Sequence, residues 1–149
     1  MARVSEERRH GEYVKMRKRG DDVGDTNDCS IIATALAADI SYDDSRELYK
    51  AVGRKDGKGV SYLQIDRAMD RLSSGHRVKS KKYEIEDMLP LYESIHAKTL
   101  TFNNITRVLR RDTKYIVIGV AHMVAFKDGR IADWSEGTKQ HVKDIYEIL

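Results

Sequence analysis

Cysteine is nearly absent from this chain of 149 residues, and the single one, Cys29, has no partner for an intramolecular disulfide. No Cys-x-x-Cys pair exists for zinc or dithiol redox chemistry, and the scattered histidines lack metal-ligand spacing, so no metal and no cofactor is expected. Cys29 is then either a core residue, as cysteine often is, or a working thiol. Apolar runs are short as well. None approaches a membrane span, and Met1 to His10 has no apolar stretch of the kind a secretory signal needs. The expectation is a cytoplasmic protein with no membrane partner. Charge of one sign is scarce too: 27 basic residues against 24 acidic ones leave +3, which does not by itself call for nucleic acid. No internal repeat or low-complexity segment is evident.

What is present describes a globular domain. The apolar fraction of 40% and the charged fraction of 34% suit one domain over residues 1–149, with 1–24 as a polar, locally basic arm. Within that arm, Lys15-Met16-Arg17-Lys18-Arg19 is either a solvated surface or a weak site for an anionic partner such as nucleic acid. No aromatic residue interleaves the cluster for base stacking. Glu12 to Met16 alternates enough to predict a short strand.

Asp25-Thr26-Asn27-Asp28 offers several N-caps for an apolar run from Cys29 to Ala38, which reads as a buried central helix. Ser41 caps a second helix that Gly53 ends, and a third runs from about Ser61 to Leu72. Ser73-Ser74-Gly75 is a loop signal, and His76 to Tyr83 predicts an edge strand whose lysines discourage pairing with other chains. Thr101 to Asn104 predicts a cap leading a helix to Arg111. Tyr115 to Val120 is a continuous β-prone run, expected to be buried on both faces. Helices precede strands, so the fold class is α+β with an antiparallel sheet.

Asp128-Gly129 between apolar runs predicts a two-residue hairpin turn. With those as the turn residues, Lys127 faces Arg130 and Phe126 faces Ile131. His122, Val124, Phe126, Ile131 and Asp133 then share one face, and Met123, Ala125, Ala132 and Trp134 the other. Asp133 is diagonal to His122, close enough for imidazole and carboxylate to meet, or else both are simply exposed at the strand ends. A slip of one residue would separate them. Asp128 is a lesser candidate, since the turn accounts for it, and His10, His76, His96 and His141 read as surface or structural residues.

Asn27-Asp28-Cys29 opening an apolar helix, then His122 with Val124-Ala125 and a Lys-Asp-Gly turn, then Asp133, resembles the papain-like cysteine peptidases. The likeness is to their small cytosolic phage- and bacteria-encoded members, over about Asp25 to Trp134. It implies a papain-like arrangement, with a central nucleophile helix packed on a C-terminal sheet. Cys29 would be the nucleophile, His122 the general base, and Asp133 the group that orients the imidazole. The Cys29 backbone N–H would be one oxyanion donor. The Gln that many members carry six residues before the Cys is here Val23, so Asn27 becomes the replacement donor. The implied function is hydrolysis of peptide or isopeptide amides in a peptide or protein substrate, with amide transfer and deamidation open. The alternative is an inactive scaffold that binds a protein or nucleic-acid partner.

Overall fold

A computed structural model describes residues 10–149, so Met1 to Arg9, including Arg8-Arg9 of the basic arm, lie outside the described residues. Among the described residues four helices come first: α1 (Gly11–Asp22), α2 (Cys29–Ala38), α3 (Tyr42–Ala51) and α4 (Tyr62–His76). Strand β1 (Ser80–Glu84), a 3-10 turn (Ile85–Met88), short helix α5 (Leu89–Ser94) and a second 3-10 turn (Ile105–Arg107) follow. Strands β2 (Lys114–Gly119), β3 (Met123–Lys127), β4 (Arg130–Ile131) and β5 (Val142–Ile148) complete an antiparallel sheet of order β1-β5-β2-β3-β4. The class is α+β. Among the described residues no helix is long and apolar enough to cross a membrane.

Helix α2 is buried along its whole length from Ser30 to Ala38 because it lies between the sheet and the other helices, packing on β2 and β3 on one side and α3 on the other. Alternation along the strands builds two cores. Ile116, Ile118, Met123, Ala125 and Tyr146 face the helices. Tyr115, Val117, Val124, Phe126, Ile131 and Ile145 face Phe102, Ile105 and Leu109 on the opposite side. β2 is thus covered on both faces, as the apolar run from Tyr115 predicts, but Val120 lies past the strand and is exposed. Each such side chain contributes about 1.5–3 kcal/mol by leaving water.

Four local expectations are corrected. Glu12 to Met16 is not a strand but part of α1, since Tyr13 and Met16 are three apart and both reach the helical core. The basic cluster it carries is partly spent within the fold: Arg17 binds Asp21 and Asp28, and Arg19 binds Asp43 through two bonds. Ser73-Ser74-Gly75 does not break α4, which starts on a Ser61/Gln64 capping box and runs to His76, with Arg77 in the left-handed conformation at its end. The edge strand therefore begins only at Ser80. Thr101 and Asn104 do bond each other's backbone N–H, yet only the single turn Ile105–Arg107 follows. There the chain serves the core instead, with Phe102 and Ile105 fully buried.

Candidate active site

Asp28 precedes α2, but its carboxylate does not cap the helix. Its Oδ1 accepts from Arg17 Nη1 at 2.5 Å and its Oδ2 from the Tyr42 hydroxyl at 2.8 Å. Gly20 permits this approach, because a Cβ there would lie 2.4 Å from Asp28 Oδ2. The consequence is that no side chain caps the first turn of α2, whose amides and positive dipole end stay available beside Cys29.

A second knot holds the loop upstream. Asp25, fully buried, receives both Nη groups of Arg54 at 2.9 and 3.0 Å, Arg46 Nε at 3.0 Å, and the Gly57 and Thr26 amides. The Arg54 guanidinium, helped by Gly57 and Arg46, outweighs burial and holds the Asp25 carboxyl well below the ordinary carboxylate range. Arg54 also donates to Thr26 O, so α1, α3 and the 54–57 loop together fix the backbone that delivers Cys29. Asn27, in the left-handed conformation at φ 51°, commits one N–H of its amide to Gly57 O at 2.8 Å. Asn27 also lines the cleft that holds Cys29. Val23 packs half-buried against the helical core and offers no donor.

The hairpin has the predicted register, with Lys127 opposite Arg130 and Phe126 opposite Ile131. Asp128 and Gly129 both have positive φ, 55° and 81°, as a type I′ turn requires. His122 and Asp133 flank the paired residues: His122 precedes β3 and Asp133 follows β4. They meet, His122 Nε2 lying 2.6 Å from Asp133 Oδ2. Trp134, expected on the opposite face from His122, instead leaves the ladder. The last ladder bond runs from Ala132 N–H to Ala125 O at 2.9 Å, and the turn that follows sets the Trp134 ring 4.9 Å from the His122 ring, tilted by 33°. Ser135 was not foreseen at all, yet its N–H and hydroxyl both donate to Asp133 Oδ1, at 2.7 and 2.5 Å. The local pattern Asp-x-Ser is the signal that could have found it.

Burial opposes the charged imidazole, but hydrogen bonds to Asp133 and Cys29, with their charges, prevail and raise the His122 pKa to about 9. With Nε2 given to Asp133, Nδ1 is the nitrogen left for the thiol. Because the folded pKa exceeds the ordinary 6.5, the stabilisation is complete below about pH 6.5 and is lost as pH rises toward 9. NMR titration of His122 should give a midpoint near that upper value, and Asp133→Asn should bring it down toward 6.5. A midpoint unchanged by Asp133→Asn would show that the carboxylate does not hold the proton.

Two clefts meet at Cys29 and His122. One, of about 340 Å³, lies between α1, α2 and the hairpin, with Tyr13, Arg17 and Asn27 at its walls and Leu36 and Ala125 deeper. The other, of about 310 Å³, is lined by Gly59 to Tyr62 and by the β2–β3 turn with Val120. Among the described residues no group of His, Cys, Asp and Glu is arranged to hold a metal. No protein-family model, curated protein or solved structure matches the chain.

Proposed function

We propose that the chain is a papain-like cysteine hydrolase of peptide or isopeptide amides, acting in the cytoplasm on a peptide or protein substrate. The observation that carries this reading is the His122 imidazole held by Asp133 at 2.6 Å and lining the same clefts as Cys29, at the open N-terminus of a buried helix. A protonated imidazole beside a thiol at such a position favours the thiolate. In this reading the Cys29 sulfur attacks the carbonyl carbon, and the oxygen gathers charge facing the Cys29 N–H and Asn27. The C–N bond breaks as His122 gives its proton to the leaving amine, leaving a thioester and a neutral imidazole. Water then attacks the thioester, its proton passes to His122, and the acid and the thiolate are released. The two clefts suit a chain that runs across the nucleophile.

The test is alkylation by iodoacetamide, read by mass spectrometry. Cys29 should react several-fold faster at pH 6 than free cysteine, whose thiolate is scarce there. Equal rates would remove the primed nucleophile. Val23 in place of an amide donor favours one other reading, a scaffold that binds without turnover. Binding of an oligonucleotide that weakens steeply with salt would support that reading.

A further inference from the structure

We infer that Ser135 is a positioning residue that holds the Asp133 carboxylate on the His122 imidazole. The inference rests on the hydrolase reading and adds to it a residue outside the Cys-His-Asp set. A carboxylate turns about its terminal torsion with only a broad, roughly two-fold preference, so burial alone does not aim it. Asp133 is only 2% exposed and Ser135 not at all, and the two oxygens of the carboxylate are used differently. Oδ2 goes to His122 Nε2 at 2.6 Å. Oδ1 takes two donors from one residue, the Ser135 N–H at 2.7 Å and the Ser135 Oγ–H at 2.5 Å.

Two donors converging on Oδ1 set the plane of the carboxylate, and that plane directs Oδ2 at the imidazole. The same turn is tied further by Glu136 N–H to Asp133 O at 3.2 Å and Thr138 N–H to Ser135 O at 3.1 Å. Trp134 stands between the two residues of the clip, with its ring against the ring of His122. One short turn thus grips the imidazole at its Nε2 edge and on its face, leaving Nδ1 for Cys29. Ser135 is fully buried and lines neither cleft, so it acts through Asp133.

A double-variant cycle reads this directly. Iodoacetamide alkylation of Cys29 at pH 6 is measured in the unaltered protein, Ser135→Ala, Asp133→Ala and the double variant, with circular dichroism to show that each is folded. Ser135→Ala is expected to slow alkylation by roughly 3- to 10-fold and to lower the midpoint of the His122 titration. In the Asp133→Ala background the same change should do nothing, since the residue through which it acts is gone. Should Ser135→Ala fail to fold, Ser135→Gly, which also lacks the hydroxyl and adds no second thiol, carries the same comparison. Alkylation as fast in Ser135→Ala as in the unaltered protein overturns the inference while the hydrolase reading stands. So does an equal slowing with and without Asp133, which would make Ser135 a packing residue. Unaltered Cys29 that reacts no faster than free cysteine overturns the hydrolase reading first, and the inference with it.

Discussion

If the proposed hydrolysis holds, Cys29→Ala and His122→Ala are each expected to lower turnover by about 10⁴-fold or more, and the double variant to lose little beyond either one. That factor corresponds to roughly 5.5 kcal/mol of transition-state stabilisation. The reason for such non-additivity lies in the proton. A thiol without an imidazole to take its proton is a weak nucleophile at neutral pH, and an imidazole without the thiol has no bond to make. The measurement uses casein and a set of blocked peptides, with turnover by the unaltered chain as reference. Cys29→Ala that retains full turnover would remove this sulfur from the chemistry.

Asp25→Ala destabilises the fold by roughly 3–5 kcal/mol, as removal of one partner from a buried ion pair does. The Arg54 side chain is fully buried and loses both of its bonds to the carboxylate, keeping only the carbonyl oxygens of Lys58, Thr26 and Asn27. Urea unfolding monitored by circular dichroism gives the value, and a loss under 1 kcal/mol would show that water compensates. Acid acts in the same direction. The folded carboxyl lies below its ordinary 3.8, so its contribution is present above that pH and is lost as pH falls. Because the loop from Asp25 to Asp28 leads straight into Cys29, a folded Asp25 variant should also alkylate more slowly.

Much of the helical half was legible because its signals are local. The uniform apolar character of Cys29 to Ala38 marks a helix surrounded by protein, and Ser41 and Ser61 announce the next two through hydrogen bonds that span three residues. The Asp128-Gly129 turn set the register of the hairpin and so the nearness of His122 to Asp133. Legibility failed where a local motif is outbid by contacts far along the chain. Asp25 and Asp28 look like helix caps, but their partners are Arg54, Arg17 and Tyr42, at separations of 29, 11 and 14 residues. Strand alternation does not place Trp134, because the last ladder bond is made by Ala132 and a turn follows.

By itself the sequence determined the α+β class, the buried helix that begins at Cys29, and a hairpin able to carry His122 and Asp133 together, since each depends on periodicity or on a turn a few residues long. Only the tertiary structure decided what engages those groups. It set the His122 imidazole and Cys29 on the walls of the same clefts, closed the Asp133-Trp134-Ser135 turn on that imidazole, and spent the acidic residues before Cys29 on Arg54 and Arg17. The physical reason is that a buried charge takes whichever partner satisfies it best, and packing brings that partner from any distance along the chain.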